Sequence, residues 1–189
     1  MPHSSRAAAE PGWAREIIDF WFDELGAARW FATSEHTDAL IRERFAGLHA
    51  RLVAAAGVDR TTGRALLAAV IVLDQFSRNL FRATPRAFAA DPIARQLARS
   101  AIAQGRDDAM TAQQRLFLYM PFEHSEERAD QALSVELIAR LGNAEWTRDA
   151  LAHKAIIDQF GRFPHRNAIL GRHSSADEVE RLKQPEDWF

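Results

Sequence analysis

The sequence predicts an all-α protein of about eight helices packed in one compact array. Apolar residues recur at three- and four-residue steps along most of the chain, which is the spacing of a helix face buried in a core. No long run alternates with period two, so nothing indicates a β-strand. Residues that start and stop helices occur at intervals, and the connections between them are short.

Three helices are predicted in the first half of the chain. The first covers residues 12–25 and the second covers 35–56, each with its apolar residues on one face. The third covers 62–80 and contains the stretch ALLAAVIVL, which is apolar on every side. A helix of this kind is surrounded by other helices, so we expect it at the centre of the protein.

Later helices are recognised by their ends. Asp91 before Pro92 is typical of an N-cap followed by proline at the first helical position, and Gly105 is suited to end that helix. Further boundaries are indicated by paired residues: capping boxes at Thr111–Gln114 and Ser175–Glu178, and a helix end followed by a new cap at Gly142–Asn143.

Composition limits the classes of function. The chain has 189 residues, 47% hydrophobic and 26% charged, which predicts one helical domain over 11–189 after a disordered tail over 1–10. The net charge is −2 and the basic residues are scattered, so a nucleic-acid partner is not expected. Cysteine is absent, and no stretch has the length of a membrane span. We therefore expect a cytoplasmic monomer or homodimer without membrane contact.

One unusual motif occurs twice. LDQFSRNLFR begins at Leu73 and IDQFGRFPHRN begins at Ile157, with Asp74 and Asp158 in equivalent positions 84 residues apart. Each copy ends a helix and places Asp and Arg four residues apart on one face. In the second copy, Gly161 is suited to the left-handed turn that ends a helix. Buried charges persist mainly when they are paired, so we expect both aspartates to be at least partly buried and bonded to arginine.

The motif has two interpretations, an internal scaffold of ion pairs or a polar pocket. The donors outnumber the carboxylates, and spare donors suit an anionic ligand, although exposure of Arg82 and Arg166 to solvent is a competing explanation. The predicted ligand-binding residues are Asp74, Gln75, Arg78, Asn79, Arg82, Asp130, Asp158, Arg162, His165, Arg166 and Asn167. If the ends of the two motif helices meet, we expect one cavity lined by Arg78, Arg162, Arg166, His124, His153 and His165.

A third segment, YMPFEHSEERADQALSVEL, supplies candidate acid–base residues: His124, Glu126 and Glu127, together with His153 from a later helix. Acidic residues are favourable at a helix start in any case, and a lone histidine is more often structural than catalytic. The nucleophile, phosphate-loop and zinc motifs of known enzyme classes are missing from the sequence. The Glu-x-x-His pairs of di-iron bundles are missing as well, and neither a metal nor a cofactor is expected.

Long motifs also resemble one known family. FWF, LDQFSRNLFR, AFAADP, FLYMPFEHSE, DQALSVEL and AHKAIIDQFGRFPHRNAILGR are similar, in this order, to domain-of-unknown-function family nine-hundred-twenty-four of bacteria. The resemblance implies an all-helical, tetratricopeptide-like fold of antiparallel helix hairpins, and it implies no reaction. Because the motif spacing is not a multiple of the ~34-residue repeat of such proteins, we expect an irregular array.

Two functions remain open. The first is a helical-repeat-like binding protein that holds a small anion in the polar pocket, or a peptide on an aromatic face of Trp21, Phe22, Trp30 and Phe31, residues that plain core packing also explains. The alternative is a small-molecule enzyme in which the His/Glu/Arg cluster performs hydrolase-like acid–base chemistry on an anionic substrate.

Overall fold

A computed structural model describes residues 9–55 and 60–184. The helices are α1 (Gly12–Ile18), α2 (Glu35–Val53), α3 (Gly63–Ile71), α4 (Ser77–Leu80), α5 (Asp91–Ala103), α6 (Ala112–Glu123), α7 (Arg128–Ala139), α8 (Ala144–Phe160) and α9 (Ala176–Leu182). A π-helical segment, Asp19–Leu25, continues α1, and a second, Val72–Phe76, joins α3 to α4. The described ranges therefore contain eight continuous helical rods and no strand, which confirms the all-α prediction.

The third rod lies at the centre of the core, as predicted. Every side chain from Ala65 to Leu73 is buried, because this stretch has no polar side. Helices α1, α5 and α6 pack around α3, and α7 and α8 follow α6 in sequence order, each against its predecessor. Trp21 is buried and packs edge-on against Phe117, so core packing accounts for this tryptophan, whereas Phe31 is 64% exposed.

Most of the predicted helix ends are confirmed. Thr111 and Ser175 form complete capping boxes, and the side chain of Asn143 accepts hydrogen bonds from the backbone N–H groups of Glu145 and Trp146. Gly161 ends α8 with φ of 71°, a left-handed conformation that favours glycine.

The prediction for Asp91 was wrong. Helix α5 begins at Asp91 itself, Ala90 takes the cap position, and Pro92 lies in the first turn. The Asp91 carboxylate instead accepts two hydrogen bonds from Arg78, each at 3.2 Å. A charged partner from a distant segment thus replaces the backbone N–H groups that a cap would bind.

The chain ends lie largely outside the described residues. The tail predicted over 1–10 falls there except for its last two residues, of which Glu10 accepts a hydrogen bond from Arg64 at 2.6 Å. Among the described helices, none has both the length and the apolar character needed to cross a membrane.

Candidate functional site

The first motif copy forms a buried ionic network around Asp74. This carboxylate is 0% exposed, lies in the π-helical segment, and contacts three donors: His124 Nδ1 at 2.9 Å, Arg78 Nη1 at 3.2 Å and Gln75 Nε2 at 2.7 Å. Irregular π-helical turns are frequent at functional sites. The predicted burial of Asp74 and its bond to arginine are confirmed.

The protonation states in this network follow from burial and from neighbouring charge. Burial raises the pKa of Asp74, but the positive charge of Arg78 and the hydrogen bonds from His124 and Gln75 outweigh it, so the pKa of this carboxyl lies below its usual range. Burial lowers the pKa of His124 despite the opposing charge of Asp74. At neutral pH the pair is therefore a carboxylate and a neutral imidazole, with Nδ1 as the donor.

The second motif copy has a different environment. The Asp158 side chain is 47% exposed and its carboxylate pairs with Lys154, whereas Arg128 reaches only the backbone carbonyl of Asp158. The prediction that this carboxylate bonds an arginine was therefore wrong, and its predicted partial burial is slight. Arg162 turns to Glu178, with contacts of 2.6 and 2.8 Å to its two carboxylate oxygens. The two copies are thus equivalent in sequence only. The face of α8 that carries Asp158 is exposed, whereas the corresponding face of the central rod, which carries Asp74, is enclosed by other helices.

Several other predicted ligand-binding residues serve internal contacts. Asn79 and Arg82 both donate to Asp38 on α2, at 2.8 to 2.9 Å. The buried Asn167 accepts a hydrogen bond from Arg172 at 2.9 Å. These pairs hold α2 to α4 and order the turn after α8, and they leave fewer spare donors than the sequence suggested.

A second pair of titratable groups lies beside His124. His153 Nδ1 is 2.9 Å from the carbonyl oxygen of Asp149, which only accepts, so Nδ1 carries a proton and also contacts Glu123 at 3.0 Å. Burial, reinforced by the charge of Asp149, raises the pKa of Glu123 to about 8. Burial also lowers the pKa of His153 to about 3. Both groups are therefore neutral near pH 7.

Arg166 is the most unusual charge of the site. Its side chain is enclosed, with the residue only 7% exposed, and its guanidinium lies 4.7 Å from the ring centre of Phe88 and 4.4 Å from that of Phe163. Nη1 donates to the carbonyl oxygen of His124 at 3.0 Å. Among the described residues no carboxylate forms a salt bridge with Arg166, and its Nε has no hydrogen-bond partner.

The pKa of Arg166 reflects this setting. Burial, together with the positive charge of Arg78, lowers it to about 10. The guanidinium therefore keeps its charge at neutral pH, and the two rings stabilise it through their faces. A buried cation without an anion is costly, so a negative guest at this point would be stabilising.

Arg166 borders a cleft of about 340 Å³ that opens to solvent. Apolar and aromatic side chains cover part of the wall, namely Pro85, Phe88, Ala89 and Leu170. The other lining residues are Ser125 and five charged ones: Asp91, Arg95, Glu126, Glu127 and Arg166. Of the predicted site residues, only Glu126, Glu127 and Arg166 reach this cleft.

The N-terminal end of α7 also borders the cleft. Glu127 occupies the N-cap of this 12-residue helix, and no side chain caps its first turn. Unpaired N–H groups at a helix start carry partial positive charge. Ser125 donates to Asp130 at 2.8 Å, and Asp130 also forms a salt bridge with Arg95 at 3.3 Å, so Asp130 holds two lining residues without bordering the cleft itself.

Of the six residues predicted to line one cavity, only Arg166 borders the cleft. His124, His153, His165 and Arg166 lie close enough to shift one another's pKa, and burial with the charge of Arg166 lowers that of His165 to about 4. Arg78 joins them through Asp74, whereas Arg162 does not belong to the group. Within the described ranges, no three side chains of the metal-binding types gather into a possible metal site.

Sequence reasoning missed Phe88, Arg95 and Leu170, and treated Asp91 only as a cap. Asp91 and Arg95 are four residues apart, a spacing that places both on one face of α5 and that offered a usable signal. For Phe88 and Leu170 no local pattern marks a cleft, since each lies in a connection between helices.

Comparison with known proteins places the chain in a family. Residues 17–186 match the family model described as "Bacterial protein of unknown function (DUF924)". The protein belongs to this family. The family resemblance found in the motifs is therefore confirmed over most of the chain.

A solved structure supports the same conclusion. The protein of unknown function ATU0120 from Agrobacterium tumefaciens is 36% identical, with a TM-score of 0.85 over 90% of this chain and 97% of that chain. No curated protein matches the chain. The fold is thus shared with this relative.

Proposed function

We propose that this DUF924 protein binds a small anionic molecule, and that Arg166 receives the negative group. The observation that carries the proposal is the buried guanidinium of Arg166 beside an open cleft, without a carboxylate partner in the described part of the chain. Its planar fork is suited to a carboxylate, and the uncapped start of α7 adds partial positive charge to the same wall.

The size of the cleft favours a small molecule. A volume of about 340 Å³ lies at the lower end of the ~300–1,000 Å³ of small-molecule sites. The aromatic residues predicted for a peptide face are largely used elsewhere, since Trp30 packs on Phe117 at 4.8 Å and donates to the backbone of Trp21. We therefore favour the small ligand over the peptide.

The enzymatic alternative depends on His124 or His153 as the acid–base group. Asp74 orients the imidazole of His124 as a carboxylate does in acid–base sites, which favours this alternative. However, neither histidine belongs to the lining of the cleft, and Glu126 is held by Arg172 at 2.7 to 2.9 Å. Binding is consequently the function that this geometry supports better.

The proposal extends to the surroundings of the protein. We infer a cytoplasmic monomer or homodimer with a tetratricopeptide-like arrangement of hairpins, which contacts neither membrane nor nucleic acid. The modest net charge of −2 and the packing of α6, α7 and α8 in sequence order support these inferences. Sedimentation of the purified chain measures the oligomeric state.

Thermal unfolding with a small carboxylate tests the proposal. At a concentration about ten times its dissociation constant, 4-methylpentanoate should raise the unfolding temperature of the parent by ~3–6 °C. Arg166→Met should abolish this shift. Arg162→Lys is the matched control, because Arg162 belongs to the same motif but faces Glu178, and its shift should equal that of the parent. An absent shift in the parent, or an equal shift in Arg166→Met, would overturn the proposal.

A further inference from the structure

The charges that line the cleft are not all available to a ligand. Three of the five have partners outside the lining: Asp91 with Arg78 at 3.2 Å, Glu126 with Arg172 at 2.7 Å and Arg95 with Asp130 at 3.3 Å. The two that remain have opposite sign. Within the described part of the chain, Arg166 bonds the carbonyl oxygen of His124 but forms no salt bridge, and the side chain of Glu127 makes neither a hydrogen bond nor an ion pair there.

The balance of the wall disfavours a simple anion. Two guanidinium groups and three carboxyl groups border the same 340 Å³, so a ligand with only negative charge meets attraction at Arg166 and repulsion from the acidic side chains. Burial raises the pKa of Asp91, against the lowering effect of Arg78, whereas Glu127 is exposed and borders the cleft without an ionic partner among the described residues. A dianion such as phosphate is the least suited guest.

Resting on the proposed anion site, we infer that the ligand is a zwitterion, a free α-amino acid with an apolar side chain. Its carboxylate would bind Arg166 and the first turn of α7, and its ammonium group would pair with Glu127. Its side chain would lie on the apolar part of the wall, formed by Phe88 and Leu170 with their neighbours. A free amino acid carries both complementary charges and is small enough for a cleft of about 340 Å³.

Three probes with the same branched side chain separate these contributions. Leucine carries both charges, 4-methylpentanoate lacks the ammonium group, and 3-methylbutylamine lacks the carboxylate. Dissociation constants measured by calorimetry should show leucine binding about tenfold more tightly than either analogue, since a charge-assisted hydrogen bond contributes on this scale.

Variants of Glu127 test the residue assigned to the ammonium group. Glu127→Gln should weaken leucine about tenfold and should leave 4-methylpentanoate unchanged or slightly improved. Glu136→Gln is the matched control, because Glu136 lies on the same helix and pairs with Arg140 away from the cleft. Unfolding temperatures of both variants establish that they fold, as expected for exposed positions.

The outcomes distinguish this inference from the proposal beneath it. If 4-methylpentanoate binds as tightly as leucine, or if Glu127→Gln leaves leucine unaffected, the zwitterion is wrong while the anion site stands. If neither leucine nor 4-methylpentanoate binds, or if 3-methylbutylamine binds as tightly as leucine, the anion site itself is overturned, and the inference with it.

Discussion

His124 Nδ1 lies 2.9 Å from both carboxylate oxygens of Asp74, and this contact joins the C-terminal end of α6 to the π-helical segment of the central rod. Asp74 also receives Arg78, which in turn reaches Asp91 on α5. One fully buried carboxylate therefore connects three helical rods, and the loss in free energy of unfolding on its removal measures its contribution to the fold.

Asp74→Ala should lower the free energy of unfolding by about 3 kcal/mol or more, because it leaves Arg78 and His124 without their shared anion. The matched control is Asp158→Ala at the equivalent position of the second motif. The Asp158 side chain is half exposed and pairs with Lys154 at the surface, so this change should cost less than ~0.5 kcal/mol. Urea denaturation measures both values, and similar costs would contradict the environments described for the two copies.

The contrast between the two aspartates shows which aspects of burial can be predicted from the sequence. Burial of Asp74 followed from the all-apolar stretch before it, which admits no solvent-facing side. The corresponding pattern at Asp158 ends an amphipathic helix, and the similar sequence does not indicate which face of that helix is buried. The helix count, the caps of α6, α8 and α9, and the left-handed Gly161 depended on local backbone rules and were predictable.

The candidate site was less predictable, because the ionic partners of its charged residues come from segments distant in sequence. Asp91 carried a sound cap signal, yet Arg78 from the central rod takes its carboxylate. Arg166 was expected either in the pocket or exposed, and its place between Phe88 and Phe163 depends on packing across residues far apart in sequence. The number of hydrogen-bond donors can be counted from the sequence. Their pairing with Asp38 or Glu178 cannot be predicted from it, because that pairing depends on how distant segments pack.

The buried Glu123 should make stability depend on pH. Its pKa rises from an ordinary 4.5 to about 8 in the folded state, so the folded protein retains a proton that the unfolded chain releases. The free energy of unfolding should therefore fall as pH rises from about 4.5 through 8, by at most ~1.4 kcal/mol per pH unit. His153, with its pKa lowered to about 3, acts in the opposite direction, and stability should fall as pH drops below about 6.5.

Glu123→Gln keeps the shape and removes the titration. Urea denaturation between about pH 6 and pH 8 should show a shallower decline for this variant than for the parent. Glu136→Gln, at an exposed position on α7, should follow the parent. A parent whose stability is constant over this range would show that Glu123 does not hold its proton.

Two glycines should respond to alanine with opposite signs. A methyl group at Gly47 or at Gly161 would meet no atom within 4 Å, so backbone conformation alone decides. Gly47 lies inside α2 on an exposed face, and Gly47→Ala should stabilise the protein by ~0.5–1 kcal/mol. Gly161 has φ of 71°, and Gly161→Ala should cost ~1–2 kcal/mol. Thermal or urea unfolding compares the two, and equal signs would refute the left-handed turn at Gly161 within the second motif.

The aromatic contact at Arg166 should contribute to ligand affinity. Phe88 borders the cleft, with the guanidinium of Arg166 4.7 Å from its ring centre, and this ring both stabilises the charge and fixes the plane of the fork. Phe88→Leu keeps an apolar side chain but removes the ring, so it should weaken 4-methylpentanoate by about fivefold, equivalent to ~1 kcal/mol. The matched control is Phe81→Leu, where Arg86 lies 3.9 Å from the ring centre and neither residue borders the cleft; its affinity should equal that of the parent. Calorimetric titration of the three proteins measures these affinities. An unchanged affinity in Phe88→Leu would show that the contact between Phe88 and Arg166 does not contribute to binding.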